Sequence, residues 1–343
     1  MTVPSVVVVD DSSFFRYQLA SRLSRRGFAV VASLASGEEA LGEIPRLNPD
    51  VVLMDVIMPG IDGLETVRQL RRHWSGRIIL MSSHTARGVR ATWAALEAGA
   101  DDFLPKPNLG QSLEVMVDAL SERLQEMTRR VRADSVESSE EPASVRVRGF
   151  RAIVVGASTG GPRALSQLFS QLGGIRPPTP KLLVVQHMPA GFTTSFAARL
   201  EEVSHARVVE VPPDGRHLAW PNVRVVVAAG GFHLRLDAEG CWAEPGERVH
   251  GVIPSVDVTL RDAASVFGSD LGVVILTGMG EDGAAGALYC RQQGATVIAE
   301  SKQSALIWGM PKAAVECGAA EVQWSLEEIG RWLKEVMAHG GVA

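Results

Sequence analysis

Residues 152–163 read "AIVVGASTGGPR", an apolar run that stops at Gly156, with Ser158 standing before a glycine pair. A serine on a sharp strand-to-helix turn exposes its hydroxyl, and flanking glycines let a substrate approach the backbone. Such a hydroxyl attacks a carbonyl when a base takes its proton and an acid orients the base. The same part of the chain offers His187, His205, His217, His233, His250 and His339. His187 ends the next apolar run, "KLLVVQ", so both side chains should emerge at one edge of a parallel sheet, which favours it as the base. His233 in "AAGGFH" is either a substrate contact or a satisfied surface histidine. For the acid, "VVILTGMGEDGAAG" sets Asp282 in a glycine-rich loop after another buried-type strand. Asp257 in "IPSVDVTL" is the runner-up, at a position suited to a helix cap.

A second constellation lies nearer the N-terminus. Asp10 and Asp11 follow the first apolar run and Asp55 follows the third, so adjacent inner strands would gather three carboxylates at one sheet edge. Clustered carboxylates raise one another's pKa, and the arrangement needs a cation. Mg²⁺, a hard ion held by carboxylates, carbonyls, waters and phosphate oxygens, fits. Ser82 ends the fourth run and Lys106 in "LPKP" follows the fifth, a hydroxyl and an ammonium suited to a phosphoryl group on Asp55. Any one of these acids alone is as well explained by helix capping, as Asp11 before "SSFFRYQLA" illustrates.

The elements that must position these residues are legible as alternating patterns. Strands are expected at 5–9, 28–33, 50–54, 77–81 and 101–104, with helical spacing between them and a fifth helix at 110–127 carrying Leu113, Met116, Val117, Leu120, Leu124 and Met127. Five βα units imply a parallel sheet covered on both faces, with its ligands at the carboxyl ends of the strands. Residues 128–149, "TRRVRADSVESSEEPASVRVRG", hold too little apolar surface to offset ordering entropy and read as a flexible linker. From 150 to 343 the βα pattern resumes, broken between 205 and 244 by short runs that read as antiparallel hairpins. The expected fold is α/β: two doubly wound parallel-sheet domains, 1–127 and 150–343, the second Rossmann-like with a β-hairpin insertion.

A chain of 343 residues exceeds what one core usually serves, in line with two domains. Its net charge of −5 argues against a nucleic-acid partner, and no apolar stretch suits membrane insertion or a signal peptide, so a cytoplasmic protein is expected. Cys241, Cys290 and Cys317 are too scattered for a zinc site or disulfide framework and read as reduced packing residues.

Two familiar readings of "GASTGG" fail on their partners. A dinucleotide fingerprint needs an acidic residue after the second strand and a tyrosine with a lysine four residues on, but the strand ends in Gln186 and His187, and Tyr289 is followed at that spacing by Gln293. An α/β-hydrolase elbow would match Gly156, Ser158 and Gly160, yet in those enzymes the acid precedes the histidine. The segments "VVVVDDS", "DVVLMDVIMPGIDGLE", "MSS" and "FLPKP" resemble a response-regulator receiver domain, flavodoxin-like in fold, over residues 1–127. The segments "GASTGG", "VVQHMP", "LTGMGEDGAAGA" and "SALIWGMP" resemble the catalytic domain of chemotaxis-type protein-glutamate methylesterases, the CheB family, over 150–338.

The first resemblance implies that Asp55 accepts phosphate from a histidine kinase of the CheA type, that Asp10 and Asp11 hold Mg²⁺ with the Ile57 carbonyl, that Ser82 or its neighbour Ser83 senses the phosphoryl oxygen and that Lys106 pairs with it. The second implies hydrolysis of glutamate methyl esters on methyl-accepting chemoreceptors, with deamidation of receptor glutamines, by Ser158 as nucleophile, His187 as base and Asp282 as orienting acid. The Thr159 N–H and an amide of the 278–280 turn, that of Met279, are the candidate oxyanion donors, and no cofactor is expected for this half. Relatives often carry asparagine before the aspartate where this chain has Glu281, a charge expected to act beside the triad. The competing function is a regulator whose second domain is catalytically silent and only binds a partner.

Overall fold

The computed structural model describes residues 3–108, 112–131, 149–173 and 179–339. The chain divides into two compact units, Met1–Ser138 and Ser139–Ala343. In the first, β1 (Ser5–Val9), α1 (Ser13–Arg25), β2 (Ala29–Leu34), α2 (Gly37–Leu47), β3 (Val51–Asp55), α3 (Gly63–Leu70), β4 (Arg77–Ser82), α4 (Ala86–Glu97), β5 (Asp102–Pro105) and α5 (Leu113–Val131) alternate along the chain. The five strands form one parallel sheet in the order β2-β1-β3-β4-β5, the flavodoxin-like order. Val6 to Val9 and Val51 to Met54 are fully buried, as unbroken apolar strands covered on both faces must be. Val9 pairs with Met54, which puts Asp10 and Asp55 side by side past the central strands. Ser12, rather than Asp11, caps α1, its hydroxyl accepting from the Phe15 N–H. Helix α5 continues through Thr128 to Val131, so the segment read as a linker starts as helix, and 132–148 lie outside the described residues.

The second unit runs β6 (Ala152–Ala157), α6 (Gly161–Ser170), β7 (Lys181–Gln186), α7 (Thr193–Ser204), β8 (Val208–Glu210), β9 (Leu218–Ala219), β10 (Val225–Val227), β11 (His233–Leu236), β12 (Gly240–Glu244), α8 (Val256–Phe267), β13 (Leu271–Ile275), α9 (Ala284–Gln292), β14 (Thr296–Glu300), α10 (Met310–Glu316), β15 (Val322–Trp324) and α11 (Leu326–His339). Seven of these strands make a parallel sheet in the order β15-β14-β13-β6-β7-β10-β8, and β11, β12 and β9 form a separate antiparallel sheet. The expected hairpin insertion is therefore smaller than 205–244. Residues 225–227, read as a hairpin strand, instead join the main sheet between β7 and β8, because Val225, Val226 and Val227 are buried on both faces. Chain order reverses direction at β6, flanked by β7 on one side and β13 on the other. That switch point is where open α/β sheets hold their ligands.

Helix α8 lays Val256, Leu260, Ala263, Ala264 and Phe267, spaced three and four apart, into the core beside β6 and β13. Cys241 and Cys290 pack in that core, and burial pushes their thiols up to about 12. Cys317 is exposed and does not share the packing role expected of it. No helix among the described residues is long and apolar enough to cross a membrane.

Candidate functional site

The glycines at the end of β6 and in the turn that follows it answer steric demands. A Cβ at Gly156 would come 2.6 Å from Val256 Cγ1, so glycine there lets the start of α8 seat on the strand. Gly160 sits at φ 79°, the left-handed region that glycine enters without strain, and turns the chain from Ser158 into α6. Ser158 itself is buried, its N–H donating to the Thr277 carbonyl at 3.0 Å and its carbonyl accepting from the Gly161 N–H at 2.8 Å. Gly278 presses from the β13 side, where a Cβ would lie 2.8 Å from Ser158 Cβ.

His187 follows β7, whose last residue, Gln186, is paired with Ala157, and the His187 N–H donates to the Ala157 carbonyl at 3.0 Å. Ser158 and His187 therefore leave neighbouring strands at the same level. His187 Nε2 lies 2.7 Å from Asp282 Oδ2. Asp282 is 2% exposed yet richly served: Ser255 Oγ donates to Oδ1 at 2.7 Å, the Val256 N–H to Oδ2 at 2.7 Å and the Asp257 N–H to Oδ1 at 3.2 Å. Burial pushes this carboxyl upward, but the His187 ring, the Ser255 hydroxyl and the Val256 amide outweigh it and hold the group below the ordinary carboxylate range.

The structure thus brings Ser158, His187 and Asp282 to one end of the sheet and sets the other candidates aside. Asp257 does not cap its own helix. Its Oδ1 accepts from the Gly286 N–H at 2.6 Å and its Oδ2 faces His250 Nε2 at 3.2 Å, and burial raises its pKa despite those partners. His233 is neither on the surface nor free, for Nδ1 accepts from the Ser255 N–H at 3.2 Å and Nε2 donates to the Glu247 carbonyl at 2.8 Å. His217 stacks on Trp242, and His205 closes α7 in the left-handed region. Glu281 is 70% exposed and faces His250 Nδ1 at 3.4 Å rather than His187, so the charge expected beside the triad points elsewhere. Neither the Thr159 nor the Met279 N–H has an acceptor among the described residues, whereas the Gly278 N–H is taken by the Ile307 carbonyl. Residues unremarked in the sequence frame this turn. Glu300, fully buried, accepts from the Thr277 N–H at 2.7 Å, and Thr277 Oγ1 donates to the Thr159 carbonyl at 2.9 Å.

In the first unit, oxygens of Asp10, Asp11 and Asp55 lie within 4.8 Å of one another. Lys106 Nζ reaches Asp10 Oδ2 at 2.6 Å and Asp55 Oδ2 at 2.7 Å, and it lies over the Phe15 ring. One ammonium against three carboxylates leaves an excess of negative charge that suits a divalent cation. Burial, helped by the Asp10 charge, raises the Asp55 carboxyl despite Lys106. For Lys106, burial is outweighed by Asp55 and Asp10, which raise its pKa. Ser82 is fully buried at the end of β4, its Oγ turned to Thr92 Oγ1 at 2.6 Å on α4, while Ser83 Oγ lies 3.0 Å from Thr85 Oγ1.

The family models decide what this pair of sites belongs to: one for the CheB methylesterase matches residues 153–333 and one for the response regulator receiver domain matches 6–118. The chain belongs to the CheB methylesterase family. A protein-glutamate methylesterase/protein-glutamine glutaminase of Symbiobacterium thermophilum is 38% identical over 98% of this chain and 97% of that protein. One of the same name from Thermotoga maritima is 37% identical over 92% of this chain and 93% of that protein. The crystal structure of the Thermotoga maritima CheB methylesterase catalytic domain is matched over all of its length and 55% of this chain, with a TM-score of 0.50 and 37% identity. Ser158, His187 and Asp282 all lie within the stretch matched by the CheB methylesterase model.

Proposed function

We propose that the chain is a phosphorylation-regulated protein-glutamate methylesterase that removes methyl esters from chemoreceptor glutamates and deamidates receptor glutamines. The observation that carries this reading is the 2.7 Å contact of His187 with a buried, low-pKa Asp282 at the sheet edge that also bears Ser158. Because the Asp282 carboxylate accepts from Nε2–H, Nδ1 is the ring nitrogen left to take the Ser158 proton. The serine oxygen attacks the ester carbonyl, and the Thr159 and Met279 amides receive the oxyanion. Collapse expels methanol as His187 returns the proton, and Asp282 stabilises the imidazolium in between. Water activated by His187 then attacks the acyl-enzyme, releasing the glutamate and restoring Ser158. With a glutamine substrate the same steps expel ammonia.

In the receiver, Asp55 is the phosphoacceptor for a CheA-type histidine kinase, with Lys106 beside it. Asp10, Asp11, Asp55 and the Ile57 carbonyl would hold Mg²⁺, which supplies charge neutralisation to the incoming phosphoryl group when bound. To reach a phosphoryl oxygen, the Ser82 hydroxyl must leave Thr92. The partners are receptors and the kinase, which favours recruitment of a cytoplasmic enzyme to receptor arrays.

The test is methanol release from a methylated receptor fragment. Ser158→Ala is expected to abolish it, with Asp55 still phosphorylated by a small phosphodonor, and His187→Ala to lose a comparable amount, since such residues act as a unit. Wild-type turnover in Ser158→Ala overturns the assignment, and no release by the wild type would favour the silent regulator.

A further inference from the structure

We infer that Gln186 is a positioning residue of the hydrolytic site, one carboxamide that ties the nucleophile's peptide to the base's peptide. Its Nε2 donates to the Ser158 carbonyl at 2.8 Å and to the His187 carbonyl at 3.0 Å, so both hydrogens of a single amide group are spent on the two residues assigned as nucleophile and base. The inference rests on that assignment. The orientation of the amide is fixed by its acceptors, since a flipped group would turn its oxygen toward two carbonyl oxygens. Oε1, fully buried, has no hydrogen-bond partner among the described residues. A glutamine kept there for packing alone would cost stability relative to an apolar side chain of the same shape, so the donor end is what the site uses. The last glycine of "GASTGG" has its reason here: a Cβ on Gly161 would overlap Gln186 Oε1.

The Ser158 carbonyl belongs to the same peptide plane as the Thr159 N–H. Gln186 and the Gly161 N–H both donate to that carbonyl, which fixes the plane's tilt and polarises the N–H at its other end. That N–H is one of the donors assigned to the oxyanion. The tie to His187 sets the imidazole's backbone relative to the same plane. Gln186 is 1% exposed and meets no substrate, so its effect belongs to the transition state and not to substrate binding.

The experiment compares full-length wild type, Ser158→Ala, Gln186→Met, which keeps volume and removes the donors, and Gln186→Glu, which sets a carboxylate against both carbonyls. Steady-state demethylation is measured with labelling of Ser158 by a fluorophosphonate and with thermal melting. In both Gln186 variants kcat is expected to fall about 10- to 100-fold with KM unchanged, labelling slowing in parallel while the fold persists. Wild-type kcat in Gln186→Met, or a loss carried by KM, overturns the inference. So does failure of both variants to fold, which would assign the amide to folding. Activity surviving in Ser158→Ala would instead overturn the reading of the site on which the inference rests.

Discussion

Asp282 does two jobs at once, and the Ser255 hydroxyl is the lever that separates them. Ser255 stands at the N-cap of α8 without a side-chain bond to its own helix, and Asp282 from the β13–α9 loop takes the Val256 and Asp257 amides in its place. A carboxylate at a helix N-terminus is favoured by the dipole, so the residue that orients His187 also closes α8. Removing one donor in Ser255→Ala is expected to cost about 1 kcal/mol at neutral pH and to lower kcat several-fold, because Asp282 is then held less firmly in place against His187. The pH dependence has a definite sign. A carboxyl held low in the folded state contributes stability above its unfolded pKa and loses it as pH falls through the folded value. The deficit of Ser255→Ala should therefore shrink at strongly acidic pH, as pH falls below the usual carboxylate range, read by urea midpoints from neutral pH down to about 2. A deficit constant over that range would mean that the hydroxyl does not bond the ionised form. Glu281 gives the contrasting case, for its carboxylate faces His250 in open solvent. Glu281→Asn should leave the pH–rate profile of demethylation in place, and a shifted acidic limb would show coupling to His187 through water.

At the scale of elements, α8 and α9 are joined by Asp257, which sits in the first turn of α8 and accepts from the Gly286 N–H of α9. Burial and the Asp282 charge raise its pKa, so its charged form is a liability at neutral pH. A raised carboxyl contributes most below its unfolded pKa and loses that contribution as pH rises through the folded value. Asp257→Asn keeps the acceptor for Gly286 and drops the charge. It should gain up to about 1 kcal/mol at pH 7 after solvent screening, with the gain vanishing near pH 4. Equal midpoints at both pH values would show that Asp257 is not strained by burial. The route from sequence to site succeeds where periodicity and strand ends suffice: Val6–Val9 and Ala152–Ala157 are strands, and Ser158 and His187 emerge together because β6 and β7 are neighbours. It fails where pairing decides. Val225–Val227 sits among glycines that suit a hairpin, and only burial on both faces shows a parallel strand. His233 reads from the sequence as either a substrate contact or a surface histidine, because the packing of the loop before α8 over β11 is not written in either segment alone. Gln186 is conspicuous in the sequence for its polarity at a strand end, but its role depends on two carbonyls that meet only in the folded sheet.

At the scale of the whole molecule the question is why a phosphoacceptor and an esterase share one chain. Each unit has its own sheet and core, so covalent linkage is not needed for either to fold. What linkage supplies is effective concentration: a connection of about twenty residues holds its two ends at roughly millimolar mutual concentration, enough for a weak interaction between units to matter. On the function proposed above, phosphorylation of Asp55 would replace a carboxylate of charge −1 by an acyl phosphate of about −2, adding about one negative charge to a pocket in which one ammonium already faces three carboxylates, with Lys106 and Ser82 the groups placed to respond. Movement of Ser82 toward a phosphoryl oxygen would give up its contact with Thr92 and so would carry the change into α4. A restraint exerted by the unphosphorylated receiver would thereby be relieved. A fragment beginning at Gly149 is accordingly expected to demethylate receptor fragments faster than the unphosphorylated full-length chain. Asp55→Ala is expected to stay at the slow rate with any phosphodonor. Both are read by methanol release at matched enzyme concentration, with the wild type plus a small phosphodonor as reference. Equal rates for the fragment and the unphosphorylated chain would exclude restraint, leaving the receiver to act by direct activation or by targeting.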